Sequence, residues 1–114
     1  MNIIDRIFAV SPTARYVALY RGGTLTSQQR QDLTAASASE SDVYEELLVN
    51  PTLLTLVKQR GNIDCGGAKF LVVAYGNFYQ LVIALPDGHA SVAFELSDNP
   101  LQHAATIAAI CEAG

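Results

Sequence analysis

The sequence predicts an α+β fold: a five-stranded antiparallel sheet, made of a hairpin plus a three-strand meander, flanked by helices in one domain spanning 1–114. Three observations carry this expectation. Residues 68–96 hold three runs of strand length, rich in β-branched and aromatic residues, and separated by Gly76-Asn77 and by Pro86-Asp87-Gly88. Turn residues of that kind between such runs mark consecutive hairpins. The first two runs are apolar on both faces: Phe70, Val72 and Ala74 oppose Leu71, Val73 and Tyr75, then Leu81, Ile83 and Leu85 oppose Val82 and Ala84. A sheet with one wet face alternates apolar and polar residues, so this pattern asks for helices on both sides. Finally, apolar residues at helical spacing bracket the meander near both termini and in the middle of the chain.

The elements follow in order. Asn2 to Val10 reads as a short helix with Ile3, Ile4, Ile7 and Phe8 on one face, stopped by Ser11-Pro12, because the residue before a proline is pushed out of the helical region. Arg15 to Tyr20 reads as a strand, Gly22-Gly23 as a tight turn, and Thr24 to Gln28 as a weaker, more polar return strand suited to a sheet edge. Gln28 to Ser41 reads as a connecting loop or a frayed helix. Asp42 and Glu45 have the spacing of a capping box, with Val43, Leu47 and Leu48 as the apolar stripe that follows. Asn50-Pro51 has the form of an N-cap and first helical residue. Residues 42 to 60 therefore form either two short helices or one long helix broken near Asn50, with Gly61 just past the end.

Asn62 to Gly67 is then a loop into the meander. The third meander run sets Val92, Phe94 and Leu96 against Ser91, Ala93 and Glu95, so one of its sides is expected to be less deeply buried. Asn99-Pro100 repeats the helix start, and Leu101, Ala104, Ala105, Ile107, Ala108 and Ile110 form the apolar face of a last helix.

Composition excludes several function classes. Half of the 114 residues are hydrophobic, 16% are charged and the net charge is −4, which suits a packed core rather than disorder. The seven basic residues are scattered, so neither nucleic acid nor an anionic membrane surface is an expected partner. No apolar run approaches the ~20 residues of a membrane span, so no membrane insertion is expected. The N-terminus lacks the basic and apolar regions of a signal peptide, and Cys65 and Cys111 have no short-spacing partner. A cytoplasmic protein with reduced thiols is the expectation.

The chemistry-bearing residues form no familiar set. No His, Cys, Asp and Glu grouping has metal-ligand spacing, so neither a metal nor a cofactor is expected. His89 reads as a solvated turn residue and His103 as a helix-surface one. Cys65 has no neighbouring cation to activate it, and Asp42, Glu45 and Glu46 read as a solvated acidic helix face or a docking patch for a basic partner. Without a nucleophile–base pair, no enzyme is expected. Tyr16, Tyr20, Tyr75 and Tyr79 fall in strands, where they pack in the sheet or line a pocket.

The remaining signal is apolar surface. The helical segment at 42–60 and the first meander strand are both strongly apolar for a small chain. If that strand lies at a sheet edge, pairing with a second copy is the simplest way to protect it.

The order helix, Gly-turn hairpin, long helix, three-strand meander, helix resembles the roadblock family, the dynein light chain-type domain, whose topology is largely shared by profilin-like and longin-like sensor domains. The likeness lies in Tyr16 to Leu25 around Gly22-Gly23, and in Phe70 to Leu96 followed by the Leu101 to Ile110 helix. Two features depart from the family pattern: Asn50-Pro51 interrupts a helix that is usually unbroken, and Arg21-Gly22-Gly23 stands where an Asp-Gly type of turn is frequent. The resemblance implies a non-catalytic module that forms a homodimer and binds or regulates a small GTPase or a related switch protein. It places the dimer contact on Val43, Leu47, Leu48, Leu54 and Val57 of the helix and on Phe70, Leu71, Val72 and Val73 of the strand. The alternative is a small-molecule sensor of profilin-like topology, with a pocket near Tyr75, Tyr79 and Phe94.

Overall fold

The computed structural model describes residues 1–30 and 39–114. The fold is α+β, an open five-stranded antiparallel sheet in the order β2-β1-β5-β4-β3. Its strands are β1 (Ala14–Arg21), β2 (Thr24–Gln29), β3 (Phe70–Ala74), β4 (Tyr79–Leu85) and β5 (Gly88–Phe94). The hairpin and the meander are those expected from the sequence, and β1 joins them by pairing with β5. Arg21 pairs with Thr24 across Gly22 and Gly23, whose φ values of 57° and 82° fit a two-residue turn with both central residues left-handed. Gly88 answers a different need: a Cβ there would overlap the Tyr20 carbonyl oxygen of the neighbouring strand.

One sheet face is apolar. Val17 of β1, Val92 and Phe94 of β5, and Leu81, Ile83 and Leu85 of β4 pack with Ile4 and Ile7 of α1 (Ile3–Phe8) and with Ala104, Ile107 and Cys111 of α4 (Ala104–Ala113). Helix α1 is capped by Asn2, whose Oδ1 accepts the Asp5 N–H at 2.8 Å. Asn99 caps a single 3₁₀ turn (Pro100–Gln102) before α4 rather than α4 itself. That offset turns Leu101 and Ala105 outward, so neither belongs to the buried stripe expected of them.

The opposite face carries Tyr16 and Ala18 of β1, Ala93, Ser91 and His89 of β5, and Gln80 of β4, all buried. It is covered by the middle helical segment. Here the expected break does not occur. Helix α2 (Ser39–Tyr44), a π-helical turn (Glu45–Val49) and α3 (Asn50–Asp64) follow one another without interruption. Asn50 is no N-cap: it has helical angles, φ −64° and ψ −46°, and its N–H donates to the Glu45 carbonyl five residues back. A proline inside a regular helix lacks its own N–H and pushes its ring against the carbonyl four residues earlier. The widened turn immediately before Pro51 opens the ladder where that conflict would fall. Asp42 likewise caps nothing, since α2 has already begun by Ser39.

Gly61 lies inside α3, not past its end. A Cβ at Gly61 would sit 2.8 Å from the carbonyl of Gly67, so glycine lets the returning loop fold back against the helix. Burial also differs from expectation in β5, where both sides are enclosed because the strand sits in the middle of the sheet. The connection read as a loop or frayed helix, Gln28 to Ser41, lies largely outside the described residues. Among the described residues no helix is long and apolar enough to cross a membrane.

Candidate functional site

Glu46 is the centre of the covered face. It projects from the π-helical turn and is fully buried. Oε1 accepts from Asn50 Nδ2 at 2.9 Å and faces His89 Nε2 at 2.8 Å, an arrangement that fixes the ring proton on Nε2. Oε2 accepts from Ser91 Oγ at 2.6 Å, and Ser91 in turn accepts from Gln80 Nε2 at 2.8 Å. A carboxylate removed from water needs such partners, and His89 is the adjacent group able to carry a positive charge. The wide turn matters because an extra residue in the helical turn re-aims the side chains around it. This geometry corrects two expectations. His89 is not a solvated turn residue, and Glu46 is not on a solvated face.

The set is a buried hydrogen-bond network centred on Glu46. Ser91 and His89 each bond Glu46 rather than one another, and none of the three is exposed.

Beside this network lies a cavity of about 450 Å³, within the roughly 300–1,000 Å³ usual for small-molecule sites. Its walls come from β1, α2, the π-helical turn and the β3–β4 connection, with Tyr16, Tyr44, Tyr75 and Phe78 as aromatic sides and Asp42 and Glu45 as acidic ones. Tyr75 donates to Glu45 Oε1 at 2.6 Å, and Gln29 Nε2 donates to Asp42 Oδ2 at 2.9 Å. Two buried polar atoms here lack a hydrogen-bond partner: Tyr16 Oη and Glu45 Oε2. Arg15 lies 2.9 Å from Glu95, its guanidinium carbon 5.9 Å from the Phe78 ring centroid.

Burial, with the charge of Glu46 adding to it, raises both cavity carboxyls above the ordinary carboxylate range, against the hydrogen bonds from Gln29 to Asp42 and from Tyr75 to Glu45. Burial and the hydrogen bond to Glu45 push the Tyr75 hydroxyl up to about 12. Tyr16 moves in the same direction, first through burial and then through the charges of Glu46 and Asp42.

Of the residues expected in a pocket, Tyr75 lines this cavity. Phe94 does not, because it is buried in the apolar core on the opposite face of the sheet. Tyr79 stands directly across from Phe94 in the β4–β5 pairing and is not part of the lining either. Strand alternation sends these two away from Tyr16 and Gln80.

The residues expected at a dimer contact divide differently. Val43, Leu47, Leu48 and Val57 are exposed on the long helix, together with Leu56, and Phe70 is exposed on β3. Strand β3 is an edge of the sheet. Leu71 and Val73 are half-buried, and Val72 packs against the core beneath α1 and α4. Leu54 is only 4% exposed and belongs to the interior of this chain.

Two other side-chain groups complete the inventory. His103 is half-buried, stacks on Phe94 with ring centroids 5.2 Å apart, and meets Asp98 at 3.0 Å, so it is not a helix-surface residue. Asp98 also accepts from Ser11 and Thr13, which ties the β1 entry to the start of the last helix. Cys65 is exposed, and Arg60 Nη1 lies 3.2 Å from its sulfur, so the expected lack of a neighbouring cation is also corrected. Among the described residues no three His, Cys, Asp or Glu side chains are placed to hold a metal ion.

Sequence reasoning missed Glu46, Asn50, Gln80, His89 and Ser91 as one unit. A signal was present. Gln80 is a polar residue in a run otherwise apolar on both faces, His89 and Ser91 alternate with apolar residues in the third run, and a buried polar group demands a partner. No protein-family model matches this chain, and no curated protein matches it.

Proposed function

We propose that this chain is a non-catalytic, dimeric scaffold or regulatory module of the roadblock type, with a small GTPase or a related switch protein as its partner. The observation that supports this reading is an apolar helix surface accompanied by an open sheet edge. Val43, Leu47, Leu48, Leu56 and Val57 are exposed along α2–α3, and the β3 edge adds an exposed Phe70. Edge strands in soluble proteins are shielded, and apolar patches that gather on one element mark interaction surfaces. A second copy covers both at once, by packing helix on helix and extending the sheet edge to edge.

The test is the oligomeric state by analytical ultracentrifugation. The parent chain sediments as a dimer, and Leu48→Glu and Leu56→Glu are monomeric with unchanged circular dichroism. Those two positions are preferable to Val72, whose side chain packs in the core. A monomeric parent chain at micromolar concentration refutes the dimer. Affinity capture from the native cytosol then addresses the partner: a small GTPase recovered near stoichiometry supports the regulatory role, and recovery of the chain alone removes it. A second reading, a small-molecule sensor, draws support from the cavity beside Tyr16, Glu45 and Tyr75.

A further inference from the structure

We propose that the cavity between β1, α2 and the β3–β4 connection binds a small organic cation, an ammonium group carried on an apolar body. The proposal rests on the sensor reading, that a small molecule occupies this cavity, and adds its chemical class.

Three features select a cation. Asp42 and Glu45 both face the cavity, and among the described residues no Lys or Arg forms an ion pair with either. The wall cation, Arg15, has Glu95 at 2.9 Å, so its charge is already answered on that side. The aromatic walls are Tyr16, Tyr44, Tyr75 and Phe78. Aromatic faces attract a cation and accommodate an apolar body, whereas an anion would meet the two acidic side chains beside them.

The polar atoms agree with that choice. Tyr16 is only 8% exposed and lines the cavity; its hydroxyl faces Glu46 and Ser27 but makes no well-formed hydrogen bond to either. Glu45 spends Oε1 on the Tyr75 hydroxyl and keeps a buried Oε2 without a donor. An ammonium offers up to three N–H donors and a positive charge, which suits a carboxylate oxygen and a phenolic oxygen together. The raised protonation ranges of Asp42 and Glu45 are consistent with this, since buried carboxyls without a cation resist ionising.

The experiment uses three probes with one ring and three head groups: 2-phenylethylamine, 2-phenylethanol and phenylacetate. Each is titrated to millimolar concentration into the ¹⁵N-labelled chain and followed by amide shifts. The amine gives saturable shifts around Glu45, Tyr75 and Phe78, at least about tenfold tighter than the alcohol, and phenylacetate gives none. Glu45→Gln weakens the amine about tenfold or more. Tyr16→Phe keeps the fold, because it removes a hydroxyl without a well-formed hydrogen bond, and weakens the amine as well, so the proposal stays testable if Glu45→Gln fails to fold. Saturable binding of the alcohol or of phenylacetate at this cavity, equal to or better than the amine, overturns the cation while keeping the sensor reading. No saturable shift with any of the three overturns both.

Discussion

Replacing Glu46 probes the arrangement that holds the middle helix on the sheet. In Glu46→Ala, the Asn50 amide, the His89 ring and the Ser91 hydroxyl each lose their acceptor inside the protein. An orphaned buried donor costs about 1–3 kcal/mol, which puts the loss from three near 5 kcal/mol. Glu46→Gln keeps the shape and one acceptor oxygen. With that oxygen toward His89 and Asn50, the new amide nitrogen faces Ser91, which already accepts from Gln80, and the serine proton is left without an acceptor. One orphaned proton and weaker neutral bonds cost about 2 kcal/mol. For a 114-residue domain the unfolding entropy converts 1 kcal/mol to about 4 °C in Tm. Glu46→Gln therefore melts about 8 °C lower and Glu46→Ala about 20 °C lower, read by calorimetry at neutral pH. A fall of under about 4 °C for Glu46→Ala, or alanine no worse than glutamine, would refute the network as the anchor of the helix.

Three further outcomes follow from other parts of the fold. Gly61→Ala drives a Cβ into the Gly67 carbonyl and lowers stability by about 1–3 kcal/mol, whereas Gly76→Ala, with nothing within 4 Å of its added carbon, changes it by less than about 0.5 kcal/mol; equal denaturant midpoints for the two would refute the close approach. Gly88→Ala costs more than Gly61→Ala, because its Cβ meets the backbone of the paired strand β1, and amide exchange along β1 and β5 is the measurement. Burial alone would raise the Asp98 carboxyl, but donors from Thr13, Ser11, His103 and the Asn99 N–H hold it well below the usual range. A depressed carboxyl stabilises above its unfolded value, about 3.9, and loses that contribution as pH falls through it toward the folded value. The Tm gap between the parent and Asp98→Asn is accordingly full at pH 7 and closes on acidification below about pH 4; a gap that widens there is the contrary result.

The elements whose residues interact with near neighbours in the chain were legible without the fold. The hairpin was readable because Gly22-Gly23 supplies a local backbone geometry, and the meander because β-branched runs and short turns act within a few residues. Periodicity also announced α1 and the last helix, since one buried face leaves a repeat in the chain. The middle helix was harder. Asn50-Pro51 looked like a helix start because a proline rule is a rule about regular helices, and the π-helical turn supplies another solution. Packing favours that solution, since it brings Glu46 over a row of polar side chains contributed by β4 and β5.

The same distinction separates the two surfaces relevant to function. Exposed leucines on the helix and the apolar β3 were visible as composition, and strand order then made β3 an edge. The cavity was visible only in part, through the strand tyrosines Tyr16 and Tyr75 that were read as able to line a pocket. Tyr75, Tyr79 and Phe94 are all aromatic strand or turn residues, and choosing among them requires knowing which way each faces. Alternation gives only relative direction along one strand. Glu46 and His89 are 43 positions apart and meet at 2.8 Å, and Tyr16 meets the cavity shared by Glu45 and Tyr75 through strand pairing alone. Sequence by itself determined the hairpin, the meander and the two terminal helices; the tertiary structure decided which sides are buried and which polar groups face one another, because both depend on contacts between segments far apart in the chain.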